Sequence, residues 1–124
     1  MRNASRPGLP GLVIGEKNMT VTALEGSYKL KYYDYNTFQI DEIMKNTFYP
    51  DDWMDTRVPE DVRTALKRYG YIDGYYYGKD LDKERWIEEK DWVYYHTFHV
   101  EKERETEENT LCFEGIDTIA RIWL

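Results

Sequence analysis

The chain has 124 residues, enough for one domain with a real hydrophobic core and short of the length at which two are usual. Lys and Arg total 17 against 24 Asp and Glu, a formal charge of −7, and no basic cluster interrupts the acidic balance, so a nucleic-acid partner is excluded as an expectation. The unusual figure is 16% aromatic residues, with 12 Tyr, 4 Trp and 4 Phe, which implies a core of large rings, a stacking surface, or both.

Residues 1–20 are rich in Gly, Pro and small polar residues and are expected to form a flexible arm, ahead of an ordered domain over 21–124. The longest apolar run of that arm is Leu12-Val13-Ile14. A signal peptide needs roughly 7–15 apolar residues at its centre and a membrane span roughly 20, so the expectation is a cytoplasmic chain without membrane contact. Tyr28 to Tyr32 alternates apolar and polar residues, the pattern of a half-buried strand. Residues 34–57 are mixed, with a short helical turn expected about Ile40, Ile43 and Met44 and a solvated acidic cluster, Asp51, Asp52 and Asp55, around Trp53.

Val58-Pro59-Glu60-Asp61 opens a helix, with Pro in the first turn and two acids at the positive end of the dipole. Val62, Ala65, Leu66 and Tyr69 share one face, Lys67 and Arg68 sit in the last turn, and Gly70 can cap it. The ring-rich run Tyr71 to Gly78 is expected to be a loop, followed by a short charged turn or helix over 82–89 that carries Trp86 and Ile87. Trp92 to Val100 again has period two, with Trp92, Tyr94, His96, Phe98 and Val100 on one face. Glu101 to Asn109 is a charge-dense solvated turn, and Thr110–Phe113 and Thr118–Leu124 are two further strands broken at Glu114-Gly115. The single cysteine, Cys112, cannot form an intrachain disulfide and is expected as a small buried hydrophobe between Leu111 and Phe113. Several short strands and one helix argue for a β-sandwich decorated by a helix. The chain stops inside an apolar strand, Arg121-Ile122-Trp123-Leu124, which suggests a sandwich incomplete at its C-terminus and the front piece of something longer. Unpaired strand edges in such a piece predict a homodimer through β-pairing.

Few residues offer chemistry. His96 and His99, three apart on a strand, point to opposite faces and cannot share a metal. Ser5 and Ser27 are the only serines, no Gly-rich phosphate loop is present, and no cofactor is implied. The better lead is aromatic. Tyr75-Tyr76-Tyr77 with Trp86 and Trp92 could stack on the apolar faces of sugar rings, or simply close the edge of a sandwich core.

In order, Trp53…Val58-Pro59, Gly70-Tyr71-Ile72-Asp73-Gly74-Tyr75-Tyr76-Tyr77-Gly78, Trp86…Asp91-Trp92-Val93-Tyr94, Phe98-His99-Val100 and Phe113-Glu114-Gly115-Ile116-Asp117-Thr118-Ile119-Ala120 form a series. It resembles the N-terminal sugar-binding domain of glycoside hydrolase family 2, in its β-mannosidase-like branch. The resemblance runs from about Leu24 to Leu124. It implies an all-β, galactose-binding-like jelly-roll sandwich with one short helix, followed in the family by an immunoglobulin-like domain and a (β/α)₈ barrel. Such a parent hydrolyses terminal β-glycosidic bonds with retention, using two carboxylates and no cofactor. The family's catalytic glutamates lie on the barrel, so no catalytic residue is carried over and the chain alone is expected to be inactive. Carbohydrate is the implied ligand of the parent, with Trp53, Tyr76 and Trp86 as sugar-contact candidates should they face outward. Glu60 stands where the family has Gly, Arg63 where His is common, Gly74 where Pro is, and Asp80 where Asn follows the tyrosine motif. These departures keep an exo-glucosaminidase or another family activity open. The alternatives from other classes are an autonomous carbohydrate-binding module and a sandwich that serves only as an interaction domain.

Overall fold

The computed structural model describes residues 13–14, 17–18, 20–73 and 80–124, with the backbone alone at 13–14, 17–18 and 80–81. Residues 24–98 form one compact unit, and the N-terminal segment with residues 99–124 belongs to a second.

In the first unit, β3 (Gly26–Asp34) is the centre of a three-stranded antiparallel sheet, flanked by β4 (Met54–Val58) and β5 (Lys90–Tyr95). Registers of Leu30 opposite Met54 and Tyr94, and Tyr32 opposite Trp92, put these side chains on one face. Lys29 opposite Asp55 and Tyr95, and Lys31 opposite Val93, fall on the other. The alternation expected over 28–32 and 92–95 is therefore observed. β4 was not anticipated, because Met54-Asp55-Thr56-Arg57-Val58 lies beside a dense run of aspartates that reads as surface.

The helix α1 (Val62–Arg68) packs Ala65 and Leu66 onto the first face, where they join Leu30, Met54 and Ile87 in the core, with Val62, Ile72, Trp86 and Trp92 around them. Leu30 and Leu66 are 0% exposed. Asp61 is its N-cap, its carboxylate accepting from Arg63 N at 2.7 Å. Pro59 therefore lies ahead of the cap, in the link from β4, and not in the first helical turn. The helix ends as Gly70 was expected to end it. Gly70 takes φ +75°, its N–H bonds Lys67 O at 3.1 Å and the next N–H, of Tyr71, bonds Leu66 O at 2.9 Å. That is the Schellman arrangement, which needs a left-handed residue at this point. Tyr69 is 43% exposed and leaves the helix's core stripe, turning its hydroxyl to Asp55.

A 3-10 turn over Ile40–Glu42 matches the helical turn expected there. Before β5 come α2 (Asp80–Lys83) and a 3-10 turn over Arg85–Glu89 that buries Ile87, where a short charged turn or helix over 82–89 was expected. Trp92 Nε1 donates to Ile87 O at 3.0 Å and so ties this turn to β5.

In the second unit, β1 (Val13–Ile14) and β2 (Lys17–Asn18) pair antiparallel, a ladder inside the segment expected to be a loose arm. The charged stretch 101–109 holds a 3-10 turn, Lys102–Arg104, in the exposed setting its composition predicts. The strands expected at 110–113 and 118–124 are not formed, and β5 stops at Tyr95 and not at Val100. Strand dihedrals persist where a neighbour satisfies the N–H and C=O groups, and no described residue pairs with these stretches. Cys112 is consequently exposed, against the expectation of burial, as are Phe113, Ile119 and Trp123.

Candidate functional site

The two sheet faces carry two ring clusters. On the helix-covered face Tyr32 is the hub. Its ring lies 5.4 Å from Trp86, 5.6 Å from Trp92 and 6.4 Å from Tyr71, the last at 88° between planes. On the opposite face Trp53 meets Phe48 at 5.7 Å, Tyr95 at 6.2 Å and Tyr33 at 6.3 Å, all edge to face. Phe38 and Phe48 reach this cluster from the link between β3 and β4.

Charge is distributed differently as well. Lys31 Nζ donates to Asp52 Oδ2 at 2.7 Å and hangs 5.8 Å from the Tyr33 ring centre and 5.9 Å from that of Trp53. Lys29 Nζ makes the equivalent 2.7 Å bond to Asp55 Oδ1, directly across the ladder. These hydrogen bonds hold the Asp52 and Asp55 carboxyls below their ordinary values and raise both lysines. Burial pushes the Tyr33 hydroxyl up, against the pull of Lys31.

A latch joins the end of α1 to β4. Arg68 holds both oxygens of Glu60, at 2.9 and 2.8 Å, and donates to Asp55 O at 3.0 Å. Tyr69 Oη accepts from Asp55 N at 2.7 Å. Across the helix, Arg63 lies 3.5 Å from Glu84 and 3.4 Å from Glu88. Glu84 is only 7% exposed, and its Oε2 makes this ion pair without a hydrogen bond.

A cleft opens at the β4 side of the sheet. β4 follows β3 only as far as Leu30, opposite Met54, whereas β5 continues to Asp34. Beyond Leu30 the ladder therefore parts, leaving a hollow of about 230 Å³ lined by Leu30, Lys31, Tyr32, Asp52, Met54 and Tyr71. Its floor is the buried pair Leu30 and Met54, its rim carries the Lys31–Asp52 ion pair, and Tyr71 stands at its mouth with 54% exposure.

Of the sugar-contact candidates, Trp53 is 5% exposed and turned into the ring cluster. Trp86 is half-buried between Tyr32 and Trp92. Tyr76 lies outside the described residues. The structure does not bring Trp53 and Trp86 together, since they belong to opposite faces. Sequence reasoning missed the cleft. Lys31 was noted only as the polar half of an alternation and Asp52 only as part of a solvated cluster, and nothing but the strand register shows that they meet. His96 stacks on Tyr28 with ring centres 4.2 Å apart, and its Nδ1 lies 2.9 Å from Ser27 O. Among the described residues no three His, Cys, Asp or Glu side chains gather as a metal site, and no helix is long and apolar enough to cross a membrane.

Residues 32–124 match the family model described as the glycosyl hydrolase 2 galactose-binding domain-like domain, three quarters of the chain. The chain is also 32% identical over 76 residues to beta-mannosidase B of Emericella nidulans, which covers 60% of this chain and 9% of that protein. The chain thus corresponds to a small part of that relative's length. No solved structure matches.

Proposed function

The chain belongs to the galactose-binding-like domains of glycosyl hydrolase family 2, in the β-mannosidase-like branch, and from that premise we propose that it is the non-catalytic N-terminal sandwich of a β-glycosidase. The membership itself makes it an all-β domain of a glycoside hydrolase. The parent would cleave terminal β-glycosidic bonds with retention, and this domain would support the barrel and help shape its pocket, with the immunoglobulin-like and barrel domains as its partners.

The observation that carries the reading is the match over residues 32–124 together with the identity to beta-mannosidase B. The electrostatics support a non-catalytic role. A glycosidase needs one carboxylic acid kept protonated to give its proton to the leaving group, so that acid's pKa must be raised. Asp52 and Asp55 are pulled the other way by the hydrogen bonds from Lys31 and Lys29, which favour their anions.

The test has two parts. The reading frame beyond the codon for Leu124 is expected to continue into a barrel with paired glutamates. The 124-residue chain, assayed alone on p-nitrophenyl β-mannoside, is expected to release no nitrophenol, while the continuous protein releases it. Hydrolysis by the isolated chain would overturn the non-catalytic role, and a continuous protein without activity on any β-glycoside would overturn the parent.

A further inference from the structure

We propose that the outer edge of β5 is a docking edge for a second copy of this chain, the two β5 strands pairing antiparallel about a two-fold axis at Val93 so that two sheets become one. The pairing involves no sugar and no catalytic group, and it goes beyond the reading of the chain as a support domain. It gives the homodimer expected from unpaired strand edges a specific edge and a specific register.

The sheet has two edges, and they are finished differently. On β4, Asp55 turns its backbone away from β3, and the end of α1 takes both groups. Asp55 N donates to Tyr69 Oη at 2.7 Å, and Asp55 O accepts from Arg68 at 3.0 Å. Side chains thus close that edge to another strand. The same orientation sets the hydrogen-bonding phase of the whole sheet. Asp55 and Lys29 form a pair without ladder bonds, so Lys29 turns its groups to Tyr95 on the other side. By alternation along β5, Trp92 and Tyr94 then turn their N–H and C=O groups outward. Among the described residues no backbone group meets them there, and Tyr94 is 39% exposed. β5 also lacks the devices that blunt an open edge. Its register is continuous, it contains no proline, and its two charges are tied within the unit. Lys90 donates to Asp34, and Asp91 Oδ2 accepts from Asn36 N at 2.8 Å.

Charge and symmetry choose the occupant. A formal charge of −7 makes two copies repel over most of their surface, but Trp92 to Tyr95 carries no charge and Lys90 offsets Asp91. With the axis at Val93, Trp92 lies opposite the partner's Tyr94, and Tyr94 opposite the partner's Trp92. Each of these pairs can exchange both of its N–H···O bonds, with ring beside ring on one face, while Val93 meets its own mate on the other. No like charges face each other in this register. Because the β4 edge is closed, growth stops at two chains, as it does when one patch pairs with itself across a two-fold axis.

Sedimentation velocity of the 124-residue chain at micromolar concentrations should show a reversible monomer–dimer equilibrium with no larger species. Tyr94→Pro removes an N–H that points outward, so it spares the ladder to β3 and blocks the new one. Val93→Lys sets two like charges against each other at the axis. Each should weaken dimerisation about tenfold or more, with circular dichroism confirming that the variant is folded. Tyr49→Ala, an exposed ring elsewhere, should leave it unchanged. Without any variant, the Trp92 and Tyr94 amides should gain protection from hydrogen exchange as concentration rises. The proposal fails if the chain stays a monomer at every concentration, or if those two amides exchange at one rate throughout. It fails equally if both folded variants dimerise like the unsubstituted chain, or if mass keeps rising past the dimer, which would place the contact on an open surface such as the exposed stretch 110–124. Failure here leaves the non-catalytic support role standing, because that role rests on the frame beyond Leu124 and on hydrolysis.

Discussion

The two faces of the three-stranded sheet are built from the same alternation and end in different states. Tyr28, Leu30 and Tyr32 point one way and Lys29, Lys31 and Tyr33 the other. The first face receives α1, and Leu30, Ala65 and Leu66 lose all contact with water. The second receives Phe38 and Phe48 from a link without a long helix, and only Trp53 is buried, among Tyr33, Phe48 and Tyr95 that remain half exposed. Alternation sorts side chains between faces, but the covering element decides how dry a face becomes. The second face accommodates this by chemistry. Its lysines meet aspartates at the surface, Lys29 with Asp55 and Lys31 with Asp52, and the Lys31 ammonium also lies over the Tyr33 and Trp53 rings.

If this contrast is right, deleting volume should hurt the helix-covered face most. Leu66→Ala should cost about 2–5 kcal/mol in urea unfolding, because a fully buried side chain leaves a cavity that α1 cannot collapse into without moving off Leu30 and Met54. A loss under 1 kcal/mol would mean that the helix is not what seals this face. Next comes the device that ends the helix. Gly70→Ala should cost about 1–2 kcal/mol from the left-handed backbone alone, since an added Cβ meets nothing within 4 Å. Gly70→Asn should recover part of it, as Asn tolerates that conformation, and equal losses for Ala and Asn would place the penalty elsewhere. On the wet face the loss should be smaller. Phe48→Leu keeps most of the apolar volume and removes the edge-to-face contacts with Trp53 at 5.7 Å and Tyr95 at 5.1 Å, for about 1 kcal/mol. A cost matching that of Leu66→Ala would erase the distinction between the faces.

The parts legible in the sequence are those in which one local signal and the final environment agree. Asp61 to Gly70 carries a cap, an apolar stripe and a terminating glycine, and folds accordingly. Tyr28–Tyr32 and Trp92–Tyr95 alternate and find each other as neighbours in the sheet. Thr118–Leu124 is as apolar as those strands and is not one here, because a strand is only half of a hydrogen-bonded structure. Family resemblance was legible too, carried by the order of its aromatic motifs, and the matched domain bears it out. What could not be read was anything set by register. Met54–Val58 was hidden by its aspartates, and those aspartates turn out to be the partners of Lys29 and Lys31. Trp53, singled out for its ring, is buried by tyrosines and phenylalanines up to 42 residues away along the chain, from Tyr95.

The smallest expected effect concerns the two ion pairs of the wet face, and its sign follows from the direction of their shifts. The hydrogen bonds from Lys31 and Lys29 lower the Asp52 and Asp55 carboxyls below the ordinary value of 3.8. A group whose folded pKa is depressed contributes stability that is present in full above the unfolded value and is lost as pH falls through the folded one. The lysines, shifted above 10.5, lose their contribution only as pH rises through still higher values, so they do not enter the acid limb. Melting temperature should therefore be flat with respect to these pairs from neutrality to about pH 5 and decline below about pH 4. The double variant Asp52→Asn with Asp55→Asn should decline less steeply over that acid window and start lower at pH 7. The difference should shrink in high salt, because all four side chains are reached by solvent and exposed pairs are screened. Identical acid limbs for the two proteins would show that the lysines do not hold these aspartates in solution, and the wet face would then have to be explained by its rings alone.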